Sequence, residues 1–429
     1  MSEFNLIWRK YGLNDNPFFD APLTIEGGTL TLSSFIGREE ERQSLKRTIE
    51  MGGEVRYMVI GEPGVGKTSL VNYVRDEASK HGFFTPIREI EINKVISANE
   101  FIILTMSAIY DEVKRKEMHL NQKLTEKLDA LYELTKFGEL SYDIANLTQL
   151  NKLKLMELFR ELIKEVVHPR FKGIILHYDN LDNIQDFEGL LDLISEIRDF
   201  LLNKNVVFIF VGDSILPSII MLRRQVSSIF IMPPLEVNYF SFEEIKQIIN
   251  ERIEKLKIGD EIPVTIPYEE KCIETLFDLY GGNIREILNS LASCIQSLPT
   301  SNIPIQITDD ILRDILFKKV NESYLTKLSD VEKSILSKIL DVGIVTPTHL
   351  STLTKKALTN ISSKYLPKLV LNSTVRLKKI EGRYKYYEVV PEIKWWKLQR
   401  TENQKLETKI KIENKVKRIV DKSLREFIY

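Results

Sequence analysis

A chain of 429 residues with 60 Lys+Arg, 61 Asp+Glu and a formal net charge of -1 has room for about three domains and a sizeable core. Its longest unbroken apolar run, Val206 to Val211, is far too short to cross a bilayer, and Met1-Ser2-Glu3-Phe4 opens neither a basic nor an apolar signal region. Cys272 and Cys294 lack metal-ligand spacing and read as buried thiols of a reducing compartment, so the expectation is a soluble, cytoplasmic protein with no membrane partner.

In chain order, residues 1–35 form a mixed leader containing Asn16-Pro17-Phe18-Phe19 and Gly27-Gly28. Phe35-Ile36-Gly37-Arg38-Glu39-Glu40 opens an amphipathic helix with Leu45 and Ile49 as its apolar stripe. An apolar strand, Val55 to Ile60, then runs directly into Gly61-Glu62-Pro63-Gly64-Val65-Gly66-Lys67-Thr68, and the helical pattern Leu70, Val71, Val74 follows. The segment fits G-x-x-x-x-G-K-[ST] in the strand–loop–helix setting that this phosphate-binding motif requires. Its glycines let backbone N–H groups approach phosphate oxygens, and the helix beginning near Lys67 adds the positive end of its dipole. Lys67 would reach the β- and γ-phosphates, Thr68 would ligate Mg²⁺, and the stretch Gly61 to Ser69 would hold the nucleotide. The expected cofactors are therefore ATP/ADP and Mg²⁺.

Ala98 to Val167 reads as mainly helical, with a break at Tyr142 to Asn146 and a helix bearing Leu153, Met156, Phe159, Leu162, Ile163 and Val166. Two apolar strands follow, Gly173 to Tyr178 and Val206 to Val211, separated by a helix from Phe187 to Leu202. Such β–α–β alternation implies a parallel sheet covered on both faces. The first of these strands delivers Asp179, a carboxylate suited to hold magnesium through water beside Thr68. Asn180 comes next, where glutamate would polarise the attacking water; an amide cannot accept that proton, and losing a general base costs about 10²–10⁴ in rate. Asp182 is the nearest substitute, or else the cap of the following helix. Asp213 and Ser214 end the second strand, placed either to sense the γ-phosphate and orient water or simply to turn the chain.

Past Pro233-Pro234-Leu235 the strands stop. Residues 235–322 read as an all-helical lid with helices Phe242 to Ile258, Glu269 to Leu279 and Ile284 to Ser297. Within it, Gly282-Asn283-Ile284-Arg285 sets Arg285 at a helix start, from which it would fold back onto the phosphates. Arg223 and Arg224 are candidates to reach nucleotide in a neighbouring subunit as an arginine finger.

The last third changes character. Residues 321–429 hold 23 Lys+Arg against 12 Asp+Glu, a net +11, whereas residues 1–320 hold 37 against 49, a net -12. A basic tail on an acidic body suggests contact with a polyanion; a solvated lysine-rich surface is the alternative. Ser329 caps a helix over Asp330 to Leu340, His349 to Leu353 makes a second and Thr359 to Leu371 a third. Two alternating segments, Thr374 to Ile380 and Tyr384 to Val390, then flank the turn Glu381-Gly382-Arg383. Three helices and a hairpin are the plan of a winged helix-turn-helix, with Trp395 and Trp396 closing its core. On double-stranded DNA the third helix would present Asn360, Ser363, Lys364 and Lys368, and the wing Arg376, Lys378, Lys379, Arg383 and Lys385. The final residues read as a charged amphipathic helix.

These residues resemble the initiator branch of the AAA+ ATPases, the Orc1/Cdc6-like proteins. The resemblance rests on Asn16-Pro17-Phe18, Phe35-Ile36-Gly37-Arg38-Glu39, the phosphate loop, the Asp179 strand, Arg224-Gln225-Val226-Ser227-Ser228, Phe242-Glu243-Glu244-Ile245, Gly282-Asn283-Ile284-Arg285 and the helices and hairpin after them. It implies an α/β P-loop NTPase (AAA+) core with a parallel sheet, an all-helical lid and a winged helix-turn-helix domain. The implied division is a leader at 1–35, the core at 36–234, the lid at 235–322, the winged domain at 323–398 and a last helix at 399–429. The family pattern makes Arg224 the arginine finger and Arg285 the second sensor, and it implies DNA and a second copy or another AAA+ subunit as partners, with nucleoid association. Asn180 departs from that pattern, and Asp213 stands where asparagine is common. Asn180-Leu181-Asp182 is also similar to signalling P-loop ATPases of the STAND and KAP-like groups, and the leader to AAA+ regulators of transposition.

Overall fold

The computed structural model describes residues 6–52, 54–136, 151–168, 170–181, 184, 186–259, 261–299 and 303–402. Asp182, the expected break at Tyr142 to Asn146 and most of the expected last helix lie outside them. The chain divides into two compact units, residues 1–265 with 281–289, and residues 266–280 with 290–429. The range 235–322, expected as a separate lid, is thus shared between the two.

Among the described residues the first unit is built on five parallel strands: β1 (Val55–Ile60), β2 (Ile90–Glu91), β3 (Ile174–Asp179), β4 (Val206–Gly212) and β5 (Leu235–Glu236). Their order across the sheet is β2-β3-β4-β1-β5. β2 and β5 were not expected, and β5 carries the sheet one residue past Pro233-Pro234-Leu235, where the sequence reading ends the strands; a strand of two residues carries no periodicity to read. Every residue of β3 and β4 is buried, because helices cover both faces. Side chains alternate between those faces. Ile175, Val207, Ile209 and Val211 pack with Leu70, Val71 and Val74 of the helix Lys67–Lys80 and with Leu45 and Ile49 of the helix Glu39–Glu50. Tyr178, Phe208 and Phe210 turn the other way. Tyr178 stacks on Phe101 at 4.9 Å between ring centroids, and Phe200 meets Phe101, Phe159 and Phe208 edge-on or tilted. Burying each such ring contributes about 1.5–3 kcal/mol, so this aromatic layer is a main support of the sheet.

Parallel strands put all their C-terminal ends on one edge. The phosphate loop leaves β1, Asp179 ends β3 and Asp213 follows β4 on that edge, so residues more than a hundred positions apart converge. The helix Phe242–Lys255 then starts with a capping box, Ser241 and Glu244 satisfying each other's backbone N–H groups.

In the second unit Glu270–Tyr280 and Asp309–Ser323 are helices, followed by Asp330–Val342, Pro347–Thr354 and a third helical stretch from Leu358 to Leu371. Ser329 and Glu332 form a second capping box. The third stretch contains a π turn, Ile361–Tyr365, just before Pro367. Proline has no N–H for the i−4 carbonyl and crowds it, which widens the turn there. The strands β6 (Val375–Glu381) and β7 (Tyr384–Val389) pair antiparallel around Gly382, which takes φ +57°. Trp395 is 1% exposed and its indole N–H donates to the Tyr280 hydroxyl at 2.7 Å. Cys272 and Cys294 are buried free thiols, both pushed above the usual thiol range by burial. Among the described residues no helix is long and apolar enough to cross a membrane.

Candidate functional site

The phosphate loop is shaped by what its glycines admit. A Cβ on Gly64 would lie 2.5 Å from Asn283 Oδ1 and 2.7 Å from Arg285 Cβ, so only glycine lets the segment Gly282-Asn283-Ile284-Arg285 seat on the loop. That seating is held by Asn283 Nδ2 donating to Pro63 O at 2.9 Å. Arg285 is thereby brought to the pocket that Gly64, Gly66, Lys67, Thr68, Ser69, Asp179 and Asn180 line. Lys67 is 7% exposed and its ammonium donates to the carbonyls of Gly61 at 2.9 Å and Glu62 at 3.1 Å.

Across the pocket floor the Thr68 hydroxyl donates to Asp179 Oδ2 at 2.6 Å, and Asp179 Oδ1 accepts the backbone N–H of Asn180 at 2.8 Å. A hydroxyl and a carboxylate so placed, with an open side towards the loop, suit a hydrated divalent cation. Asn180 has φ +67°, the left-handed region that asparagine tolerates and most side chains resist. Its amide at this position thus accompanies a backbone shape that glutamate would enter only with strain. On the neighbouring strand end, the Ser214 hydroxyl lies 2.8 Å from Asp213 Oδ1 and 3.1 Å from Glu62 Oε1, tying that turn to the loop.

The two finger candidates separate. Arg223 is clamped by Glu188 and Asp192 of the helix Phe187–Glu196. Arg224 is exposed beside exposed Met221 and Leu222, with no side-chain partner among the described residues.

Several pocket residues escaped sequence reasoning. Asp20, Ala21 and Pro22 of the leader line the site, as does Arg252 from the helix Phe242–Lys255. Arg252 is 8% exposed; its guanidinium donates to the carbonyls of Pro17 and Phe19, and burial lowers its pKa to about 10. The leader is fixed further by Ser69 Oγ, which accepts from Leu23 N at 3.0 Å, and by Asn72 Nδ2, which donates to Leu23 O at 3.1 Å. Arg38 braces the loop from below, donating to the carbonyls of Val65 and Asn238 and lying 3.8 Å over the Phe240 ring. Beneath the site, His177 on β3 is buried against Arg75 of the phosphate-loop helix, and burial together with that charge drives its pKa well below the ordinary imidazole range.

In the second unit Asn360, Ser363, Lys364 and Lys368 all face solvent on the third helical stretch. Lys368 is bonded to buried Glu332 at 2.7 Å, and the Ser363 hydroxyl donates to Thr359 O. On the hairpin, Arg376 and Lys378 share Glu388 and Lys379 takes Glu381, while Lys385 stays exposed and Arg383 lies over the Tyr384 ring.

Residues 34–208 match the AAA ATPase domain family. No curated protein matches the sequence. Among solved structures the chain is similar to the Aeropyrum pernix ORC2 protein, determined as ADPNP-ADP complexes, at 15% identity, with 93% of this chain and 100% of that chain covered and a TM-score of 0.49. It is also similar to the Aeropyrum pernix ORC1 protein in complex with DNA, at 16% identity over 83% of this chain and 90% of that one, with a TM-score of 0.44. A third is Cdc6p from Pyrobaculum aerophilum, at 14% identity over 85% and 94%, with a TM-score of 0.43. Sheet order, phosphate loop and family match together define the first unit as a P-loop core of the AAA+ type, followed by helices.

Proposed function

We propose that this chain is an ATP-switched DNA-binding protein of the replication-initiator kind, in which slow ATP hydrolysis controls conformation or assembly. The observation that supports it best is the Thr68–Asp179 pair facing Lys67 and Arg285 across one pocket, with an amide at residue 180. Thr68 and Asp179 would hold Mg²⁺, which when bound neutralises phosphate charge. Lys67 would exchange the carbonyls of Gly61 and Glu62 for phosphate oxygens, and the loop N–H groups would bind the rest. Arg285, already fastened to the loop through Asn283, reports the nucleotide to the helix it begins. Asn180 orients water without taking its proton, so turnover is slow. Arg224 offers its charge to a neighbouring subunit of the same or another AAA+ chain.

In the second unit the helix–helix–helix–hairpin order supports a winged helix-turn-helix, with Asn360, Lys364, Arg383 and Lys385 as the cations and amide left for DNA. The decisive experiment is anisotropy of a labelled duplex with the full chain, in ATP and in ADP, at two salt concentrations. Binding that falls steeply with salt and differs between nucleotides is the expected result. Nucleotide binding without DNA binding in any state would favour the second reading, a signalling switch with a protein-binding hairpin. One observation points that way: Lys368, Arg376, Lys378 and Lys379 are paired with carboxylates of their own unit.

A further inference from the structure

Arg75, on the phosphate-loop helix, is 0% exposed, and all its N–H groups have acceptors. Nε donates to Thr85 Oγ1 at 2.9 Å, one terminal nitrogen to Asn72 Oδ1 at 2.9 Å and His177 Nδ1 at 3.1 Å, and the other to Pro86 O and Arg88 O. None of these acceptors is a carboxylate. A buried cation without a bonded anion is costly, and a sequence tolerates it where its field is used. The carboxylates that feel Arg75 do so through space: Glu89, Glu112 and Asp179.

The geometry also assigns a proton. The hydrogens of a guanidinium are fixed in its plane, and arginine only donates, so His177 Nδ1 must accept. Its other neighbour, Asn72 Oδ1 at 3.2 Å, already accepts from the same guanidinium nitrogen at the shorter distance of 2.9 Å, so the fixed arginine hydrogens decide the role of Nδ1. The ring's single proton therefore sits on Nε2. That nitrogen is buried and has no hydrogen-bond partner among the described residues; Asp179 Oδ2 lies 3.9 Å away, the same oxygen that accepts the Thr68 hydroxyl.

We infer that Arg75 and His177 are a buried positioning pair for Asp179: the arginine sets the imidazole tautomer, and the imidazole directs an N–H at the metal-binding carboxylate from inside the sheet. Thr68 bonds that carboxylate from the loop at 2.6 Å, and the His177 N–H stands 3.9 Å from the same oxygen, a through-space interaction and not a hydrogen bond. Asn72 extends the chain of contacts to Leu23, next to the leader residues that line the pocket. The inference rests on the nucleotide-binding reading of this site.

Two measurements on the full chain test it. Imidazole nitrogen NMR should show His177 with a bare Nδ1 and a protonated Nε2; a proton on Nδ1 would overturn the pair. Binding of a fluorescent ATP analogue is then titrated with Mg²⁺. His177→Leu should raise the Mg²⁺ midpoint about tenfold, the usual effect of losing a partner behind a metal ligand, with Mg²⁺-free binding unchanged. His177→Gln, whose amide can accept from Arg75 and still donate forward, should restore the midpoint. A folded His177→Leu variant with the native midpoint would reduce the pair to a brace between helix and sheet. If the native chain binds no nucleotide, the nucleotide reading fails, and the NMR result alone judges the tautomer.

Discussion

The candidate nucleotide site and the C-terminal helices and hairpin both gather cations, yet they treat charge in opposite ways. Arg75 and Arg252 are buried and bonded to carbonyls, amides and hydroxyls, so their positive charge is not cancelled locally. Lys368, Arg376, Lys378 and Lys379 sit at or near the surface and are paired with carboxylates. Neutral acceptors leave a fixed field aimed at the pocket, whereas paired surface cations are screened and contribute little beyond local order. Substitutions should therefore be severe in the first region and graded in the second.

The largest effect is expected at Arg75. Arg75→Leu strands the acceptors it serves and should cost about 3 kcal/mol or more of stability, read by denaturant unfolding. A loss below about 1 kcal/mol would mean that the buried network is not the brace described. Lys67→Ala comes next: removing charge-assisted bonds to phosphate should weaken ATP binding by about 10- to 100-fold, measured by titration with a fluorescent analogue, while the unfolding midpoint hardly moves.

Glu332 sharpens the contrast from the other side. Its bond to Lys368, with help from Ser329, holds its carboxyl at about 2 in the folded state, below the ordinary value of 4.5. A depressed carboxylate stabilises the fold above its unfolded value, and that stability is lost as pH falls from about 4.5 towards 2. Lys368→Ala should flatten the pH dependence of unfolding in that window. If it instead weakens DNA binding with unfolding unchanged, Lys368 is a contact rather than a strut.

Asn180→Glu is expected to cost about 1 kcal/mol through the left-handed backbone and to leave ATP turnover short of the gain of about 10² that a restored base would bring. A full gain would show that the backbone relaxes. The smallest effects belong to Arg383 and Lys385. Replacing either by alanine should leave stability within about 0.5 kcal/mol and reduce the salt slope of duplex binding by about one.

The candidate groups that are contiguous along the chain were legible without a fold. The phosphate loop declares itself because strand, glycines, Lys67 and helix are contiguous, and Asp179 because an apolar run ends on a carboxylate. The C-terminal helices and hairpin were legible for the same reason, as periodicity and a glycine turn are local signals. β2 and β5 were not, being too short to have a period. Nor were the leader residues at the pocket, the grip of Arg252 on Pro17 and Phe19, or the meeting of Arg75 with His177, since those partners are up to 235 positions apart and only the packed sheet brings them together. Tertiary structure also decided which cations stay available, clamping Arg223 and leaving Arg224 exposed, because ion pairing depends on which helix lies alongside. Sequence alone determined which groups are available for the proposed chemistry. Burial and long-range hydrogen bonding decided how they are oriented, charged and shared.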